Sequence, residues 1–205
     1  LQVIMFQVPF EHYPAPPGFD KVKKELLQVF ADDDNSSHRM TPDGRVLEDL
    51  KTDFFHNDKN HIFPPYYNIV TKALNPYLKT ISDQVGFQIE ITTMWYQQAM
   101  KGQYHQTHNH GAVGMSCVWY LEFDPAVHTA TTFYCPFADP LTGDLMQNTP
   151  RVREGDFVVF PAFLLHEQQA NDSDKRRTIV SFNLAGAPKP KFYKHTAWHY
   201  FWPAI

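Results

Sequence analysis

The chain has 205 residues, of which 43% are hydrophobic, 15% aromatic and 20% charged, and its formal charge is -4. Nucleic acid is therefore an unlikely partner, because binding to phosphates needs clustered Lys and Arg. The sequence has no apolar run near the ~18 residues of a membrane span, and residues 1–10 lack the basic start of a signal peptide, so we expect a cytoplasmic protein.

The first 45 residues predict a strand, a turn, a helix and a loop. Residues 1–10 are typical of a strand, and the proline-rich stretch that follows predicts a turn. Apolar residues then recur every fourth position over 20–30, which predicts an amphipathic helix capped by Asp20. Its buried side is expected to comprise Val22, Leu26 and Phe30. The polar segment 31–45 predicts an exposed loop.

A second helix is predicted to begin at Pro65, because proline is favoured in the first turn of a helix. Pro76 has no backbone N–H, so we expect the helix to be kinked or interrupted there. The apolar side of this helix is expected to comprise Tyr67, Val70, Leu74, Leu78 and Ile81.

From residue 87 onward the hydrophobic period changes from 3.6 to 2, which is typical of strands. Five strands are predicted, over 87–100, 114–123, 129–137, 156–163 and 176–186. Helices followed by strands favour an antiparallel sheet with helices on one side.

The length fits a single domain of 1–205. We expect residues 1–86 to form an N-terminal support of a strand and helices, and 87–187 to form the β core. The aromatic tail 188–205 is expected to pack across the sheet or to form an interface.

Three histidines lie close together in the stretch GQYHQTHNHG, residues 102–111. Alternate side chains of a strand share a face, so His108 and His110 are predicted to offer two imidazoles to one metal ion. His105 lies on the opposite alternation, and we expect it at the surface or behind the ligands.

His166 is the best candidate for a third ligand. It follows the apolar run 156–163 and a proline turn, which predicts a position at a strand end. A jelly-roll barrel would bring such a residue over the mouth where the histidine pair lies. Asp156 is a candidate for a carboxylate ligand, although an aspartate at the start of a strand is more typical of a turn.

Arg177 opens the last predicted strand and shares a face with Ile179, Ser181 and Asn183. A buried guanidinium is costly unless an anion pairs with it, and guanidinium binds carboxylate through two parallel hydrogen bonds. We therefore predict that Arg177 binds a carboxylate ligand, and Ser181 is a further candidate for contact with that ligand.

In order and spacing, these motifs resemble those of the oxygenases dependent on Fe(II) and 2-oxoglutarate (2OG). The likeness is to a subgroup from marine bacteria and their phages that is related to the prolyl hydroxylases. It covers about residues 88–184 and rests on the stretches WYQ…GQYHQTHNH, SCVWYL, EGDFVVFP…H and RTIVSFN.

The resemblance implies Fe(II) as the metal and 2OG as the cosubstrate. It implies a dioxygenase that consumes dioxygen and forms succinate and CO2 while it hydroxylates a C–H bond of a protein side chain or small molecule. Residue by residue, His108 and His166 match iron ligands, and Arg177 matches the residue that binds the far carboxylate of 2OG. Tyr120 falls where prolyl hydroxylases have a tyrosine that hydrogen-bonds the same carboxylate.

His110 departs from the family pattern, because relatives have Asp at this position. Either His110 completes a three-histidine site, or a carboxylate comes from elsewhere, or the site is altered. We expect the three-histidine site, because period 2 aims His110 beside His108. A neutral third ligand would leave the iron more positive.

The resemblance implies a mostly β fold, a double-stranded β-helix (a jelly-roll, cupin-like barrel) braced by N-terminal helices. The cupins share this barrel, and their first motif, G-X5-H-X-H, fits Gly102 to His110. Gly155, Pro161, His166 and Asn171 nearly fit their second motif. However, the glutamate that cupins place after the pair is absent, and cupins have no general need for Arg177.

Two alternatives to the oxygenase stay open. One is a cupin-type metalloenzyme with the same three histidines and no 2OG, and the other is a non-catalytic ligand-binding barrel or structural module. The substrate is expected to be a small molecule or a peptide, selected by loops at 31–64 and 138–150. The sequence predicts no oligomeric state.

Overall fold

The structure is a computed structural model that describes residues 7–33, 37–40, 46–60 and 62–188. The strands are β1 (Glu11–Tyr13), β2 (Ser37–Met40), β3 (Val46–Thr52), β4 (Phe87–Ala99), β5 (His105–His108), β6 (Met115–Glu122), β7 (Thr132–Ala138), β8 (Leu145–Asn148), β9 (Phe157–Pro161), β10 (His166–Gln168) and β11 (Arg177–Pro188). The helices are α1 (Phe19–Ala31), α2 (Phe54–Asn60) and α3 (Tyr67–Val85). No described helix is long and apolar enough to cross a membrane.

The strands form two antiparallel sheets. The larger has the order β1-β9-β6-β11-β4-β3-β2, and the smaller has the order β5-β10-β7-β8. This arrangement, mostly β with helices on one side, confirms the predicted jelly-roll fold class.

Side-chain alternation gives the central strands of the larger sheet two different faces. Trp119, Phe157 and Phe182 point to one face and pack with the apolar sides of α1 and α3. Tyr120, which follows Trp119, and Ile179, which precedes Phe182 by three residues, point to the other face, where they pack with Phe133 of the smaller sheet. Helices α1 and α3 therefore cover one side of the larger sheet, and its other side faces the interior between the sheets.

Helix α1 matches the predicted segment, and Leu26 and Phe30 are fully buried. The predicted cap is wrong: the N-cap is Gly18, at φ 76°, and Asp20 lies in the first turn. A carboxylate in the first turn is still favourable, because the helix dipole is positive there.

Helix α3 begins at Tyr67 rather than at Pro65, and it continues past Pro76 to Val85, so the predicted interruption is wrong, while the predicted kink stays a prediction. Packing outweighs the hydrogen bond that Pro76 cannot make, because Val70, Leu74 and Ile81 of this helix are all buried in the core.

The five strands predicted after residue 86 are all present, but the N-terminal half differs from its prediction. Strand β1 lies in the predicted turn, and residues 7–10 of the predicted first strand are irregular. Strand β2 lies within the predicted loop 31–45. Residues 1–6 and 189–205, which include most of the predicted first strand and tail, lie outside the described residues.

Several elements have no counterpart in the prediction. The short strands β5, β8 and β10 have four residues or fewer, too few for a clear alternation. Strand β3 and helix α2 also went unpredicted.

Two glycines with positive φ provide a matched test of packing between the N-terminal segment and the sheet. A Cβ at Gly155 (φ +90°) would lie 2.5 Å from Ala15 Cβ, whereas a Cβ at Gly102 (φ +80°) would meet no atom within 4 Å. Gly102→Ala should lower the free energy of unfolding by about 1–2 kcal/mol, the cost of a left-handed backbone. Gly155→Ala should lower it by about 2–5 kcal/mol, because steric overlap adds to that cost. Urea unfolding measures both, and equal losses would contradict the close approach.

Candidate metal centre

Strand β5 pairs with β10 so that His108 and His166 are direct antiparallel partners. Their ring centroids are 4.4 Å apart. The ring of His110 lies 5.1 Å from that of His108 and 5.0 Å from that of His166. One ligand nitrogen from each of the three lies within 4.8 Å of the other two, so the three imidazoles can bind one ion.

His110 reaches this cluster by a different route from the one predicted. Strand β5 ends at His108, so His110 lies beyond the strand and alternation does not place it. A turn follows instead: Asn109 Oδ1 accepts a hydrogen bond from Gly111 N at 3.1 Å. The backbone N–H of His110 donates to Ala162 O at 2.8 Å. These two bonds hold the backbone in the position that turns the His110 ring toward the pair.

The Nδ1 atom of each of the three rings lies next to an oxygen that only accepts. His108 Nδ1 is 2.7 Å from Gln106 O, His166 Nδ1 is 2.8 Å from Leu164 O, and His110 Nδ1 is 2.6 Å from Asn183 Oδ1. Each Nδ1 therefore has the proton, and Nε2 keeps the lone pair that a metal requires.

A polar network behind His110 fixes its orientation. Ser116 Oγ lies 2.7 Å from His110 Nδ1 and donates to Asn183 Oδ1 at 2.9 Å. Asn183 Nδ2 in turn donates to Thr93 Oγ1 at 2.9 Å. These contacts hold the Asn183 amide beside the ring, and with Oδ1 facing the histidine, Nδ1 of His110 is the nitrogen that donates.

Burial favours the neutral form of two of the three histidines. Burial, and then the proximity of His108, lower the pKa of His166 to about 3. Burial also lowers the pKa of His110, although its hydrogen bond to Asn183 acts in the opposite direction. Neutral imidazole is the form that binds a metal, so these two residues are ready to bind at neutral pH.

The other two ligand candidates fall outside the cluster. His105 is not one of the three grouped residues: its ring packs against that of His108 at 4.1 Å, and its Nδ1 lies 3.0 Å from Gln97 Nε2. Asp156 lies at the start of β9, where its carboxylate contacts His12 Nε2 at 2.7 Å and accepts from Arg153 N at 2.8 Å. Asp156 is therefore a turn residue, as its position at a strand start suggested.

Arg177 is buried, with 2% of its surface exposed, on the interior face of β11. Its Nη1 donates to Gln168 Oε1, but Nε and Nη2 have no hydrogen-bond partner within the described chain. Its guanidinium carbon lies 5.4 Å from the ring centre of Tyr120 and 6.0 Å from that of Phe123. Burial lowers the pKa of Arg177, an effect that Tyr120 opposes.

Ser181 and Tyr120 are the remaining two residues that the sequence predicted for the site. Ser181 lines a small cavity of about 20 Å³ together with the three histidines, Gln168 and Thr131. Tyr120 is fully buried under Arg177, and its hydroxyl donates to Thr131 Oγ1 at 3.1 Å. A larger cavity of about 430 Å³ adjoins the histidines and is walled by Phe54, Phe55 and Trp95.

One protein family has a model that matches part of this chain. Residues 93–183 match the model of the family described as "Putative 2OG-Fe(II) oxygenase". This segment is less than half of the chain, and it is similar to the 2OG-Fe(II) oxygenases. No curated protein sequence matches the chain.

Solved structures of low identity share the fold of this chain. The epimerase SnoN of nogalamycin biosynthesis has a TM-score of 0.63 at 15% identity and covers 91% of this chain and 81% of its own. A prolyl-4-hydroxylase of Pseudomonas putida has a TM-score of 0.54 at 13% identity, and the match covers 87% of this chain and 93% of the hydroxylase. HygX of Streptomyces hygroscopicus, solved with nickel, 2OG and hygromycin B, has a TM-score of 0.60 at 10% identity. This match covers 89% of this chain and 84% of HygX. The likeness to a marine bacterial and phage subgroup stays a prediction.

The described residues fit both groups that the family implies. One ring nitrogen of each of the three histidines lies within 4.8 Å of the other two, which suits a divalent metal ion. The buried Arg177 has unpaired Nε and Nη2 donors, which suit a carboxylate such as that of 2OG. Both observations are independent of the sequence likeness.

Sequence reasoning missed two residues of the candidate site. Asn183 was placed on the interior face of β11 but was given no role, and its contact with His110 depends on a turn that the pattern did not reveal. Gln168 was not singled out, because no motif marks a glutamine two residues after a histidine. Its contact with Arg177 joins β10 to β11 across the two sheets.

His110 and His105 give a matched test of the ligand set. His110→Ala should weaken binding of Ni(II) or Fe(II) by at least about 100-fold, because one of three converging nitrogens is lost. His105→Ala should keep one metal ion per chain. Titration calorimetry of the metal-free protein measures both, and stoichiometric tight binding by the His110 variant would contradict the three-histidine site.

Glu122 gives a pH test of the edge of the site. Burial acts to raise its pKa, but hydrogen bonds from Arg176 and Thr178 hold the pKa of Glu122 below its ordinary value. Its contribution to stability is therefore present above about pH 4.3 and is lost as pH falls through the lowered pKa.

Glu122→Gln should lower the free energy of unfolding by about 1 kcal/mol at pH 7 and change it little at about pH 3. Urea unfolding at the two pH values measures the difference, with Glu90→Gln, an exposed position on β4, as the control. A loss of the same size at both pH values would refute the link to ionisation.

Proposed function

We propose that this protein is an Fe(II)- and 2OG-dependent dioxygenase that hydroxylates a C–H bond of a small molecule or of a protein side chain. The observation that supports it best is the pairing of two sites in one interior: three converging imidazoles and a buried arginine with two unpaired donors. A metal-binding barrel that does not bind 2OG would not need a buried arginine with unpaired donors.

His108, His110 and His166 are the residues that would hold the iron. When bound, Fe(II) and 2OG would supply the oxidising chemistry with dioxygen as the oxidant: one oxygen atom ends in succinate as 2OG loses CO2, and the other ends in the hydroxyl group of the substrate. The protein keeps a proton on each Nδ1, through Gln106 O, Leu164 O and Asn183 Oδ1, so that the three Nε2 atoms remain ligands.

Arg177 would hold the far carboxylate of 2OG. It opens the same face of β11 that includes Ser181 and Asn183, so the strand lines up the guanidinium, the small cavity and the partner of His110 in one row. Tyr120 supports the guanidinium through its ring. In this proposal Ser181 contacts the cosubstrate between the two ends.

The substrate would enter the cavity of about 430 Å³ beside the histidines. Phe54, Phe55 and Trp95 provide apolar walls that exclude water from the reacting atoms, and Trp95 lies 5.5 Å from the His110 ring. Leu50 and Asp58 of the same wall come from the segment 31–64, which supports the prediction that this segment selects the substrate. The other predicted loop, 138–150, is not part of this wall.

We also propose that the chain forms a single domain and acts in the cytoplasm, where a reducing environment would keep Cys117 and Cys135 as free thiols.

The residues that fit only the cupin pattern have structural roles. Asn171 Nδ2 donates to Ala99 O at 3.0 Å and to Lys175 O at 2.8 Å, which closes a turn. Gly102 and Gly155 occupy turns with positive φ. Nothing specific to the cupins therefore reaches the histidines, which favours the oxygenase.

Arg177 and its neighbour Arg176 allow a test in which the change of charge is matched. Arg177→Ala should weaken 2OG binding by at least about 30-fold, since loss of one partner of a buried charge pair costs about 2 kcal/mol or more. Arg176→Ala should leave the affinity nearly unchanged, because Arg176 pairs with Glu122 at the surface.

Calorimetric titration of 2OG into Fe(II)-loaded protein without oxygen measures the affinity, and succinate formation in air measures turnover. An iron-loaded wild-type protein that neither binds 2OG nor forms succinate from it would refute the proposed function. Equal affinities of the two arginine variants would refute the role of Arg177 alone.

A further inference from the structure

Gln168 lies on β10, two residues after His166, and 5% of its surface is exposed. It lines the small cavity that also includes the three histidines and Ser181. A glutamine is rarely buried so fully, because its amide has two donors and an acceptor to satisfy. The contacts of this amide show what it does.

The orientation of the Gln168 amide is fixed by its neighbour. Arg177 Nη1 donates a hydrogen bond to Gln168 Oε1, and a guanidinium has only donors, so the oxygen of the amide must face it. The nitrogen, Nε2, therefore points away from this contact. It is buried and has no hydrogen-bond partner among the described residues.

The same contact determines which edge of Arg177 stays available. Gln168 occupies Nη1, while Nε and Nη2 have no partner in the described part of the chain. Nε–H and Nη2–H lie parallel along one side of the planar guanidinium and match the two oxygens of one carboxylate. Buried donors without partners are costly in a folded protein, so three of them on two touching side chains point to a missing acceptor.

Two acidic side chains near this pair are engaged elsewhere. Glu122 accepts hydrogen bonds from Arg176 and Thr178, and Glu167, which neighbours Gln168 on β10, accepts one from Thr107 at 2.6 Å. Neither is the missing acceptor among the described residues, which leaves these donors available to a ligand. On the proposed function, it is the far carboxylate of 2OG.

We propose that Gln168 is a positioning residue for 2OG. Its Oε1 holds Arg177 at Nη1 so that the Nε–Nη2 edge is presented to the far carboxylate, and its Nε2 donates to the same anion. The inference rests on the proposed function and adds to it a residue that bridges the iron ligand His166 and the anion-binding Arg177. It makes the affinity for 2OG depend on an amide that touches no metal.

The test compares two ligands that differ only at the far end. The probes are 2OG and 2-oxopentanoate, which has the same chain and keto acid but no far carboxylate. Each is titrated by calorimetry into Ni(II)-loaded protein, so that no turnover occurs. Gln168→Leu, of similar size, removes both hydrogen bonds, and Gln147→Leu, at an exposed site on β8, is the matched control.

Gln168→Leu should weaken 2OG binding by about 10- to 100-fold, the value of hydrogen bonds to a charged group. Its affinity for 2-oxopentanoate should stay within about twofold of wild type, and the control should behave as wild type with both ligands. Gln168→Asn, which keeps the amide but is one methylene shorter, should give the same ligand-specific loss and serves if the leucine variant does not fold.

Three outcomes would overturn an assignment. Unchanged 2OG affinity in both Gln168 variants would refute the inference, and so would equal weakening of both ligands, which indicates an effect on the metal site. A wild-type protein that binds 2-oxopentanoate as tightly as 2OG would instead refute the proposed role of Arg177, before any Gln168 variant is considered.

Discussion

The antiparallel pairing of β5 with β10 is the contact on which the site depends. It sets His108 directly opposite His166, and backbone hydrogen bonds between the strands hold that register. A shift by one residue would turn one of the two imidazoles to the other face of the sheet. A polar network on the larger sheet, from Thr93 through Asn183 to Ser116, then positions the ring of His110, so the arrangement of the three histidines depends on the relative position of both sheets.

The larger sheet separates support from chemistry. On one face, Trp119, Phe157 and Phe182 pack with the helices, and this packing gives the sheet its rigid backing. On the other face, the interior row of β11 places a cation at one end and an amide at the other. Because both faces belong to the same strands, stable packing on one side fixes the geometry on the other.

Much of the fold could be predicted from the sequence, because the long strands of the core alternate clearly between two apolar environments. Strands β4, β6 and β11 each have eight residues or more, enough for period 2 to show. Strands β5 and β10 have only four and three residues, and their pairing depends on contacts between distant segments that no local pattern contains.

The candidate site could be predicted from the sequence to about the same extent as the fold. The structure brings His108, His110 and His166 together and buries Arg177 as expected, but His110 arrives through a turn at Asn109 and not through strand alternation. Asn183 and Gln168 could not have been given their contacts in advance, because each depends on the packing of two strands that are far apart in sequence. The role of the three histidines as metal ligands and the role of Gln168 as a positioning residue stay predictions.

The all-imidazole donor set has a consequence for how the protein is handled. Three neutral nitrogens with no carboxylate suit Ni(II), Cu(II) and Zn(II) as well as Fe(II), and in the usual order of divalent affinities Fe(II) binds more weakly than these three. Iron would therefore be displaced by traces of these metals, including nickel shed from an affinity resin. The metal content measured after purification would then reflect the metals that the sample met during purification more than the metal bound in the cell. Metal should therefore be removed from the purified protein, and Fe(II) added back, before activity is measured.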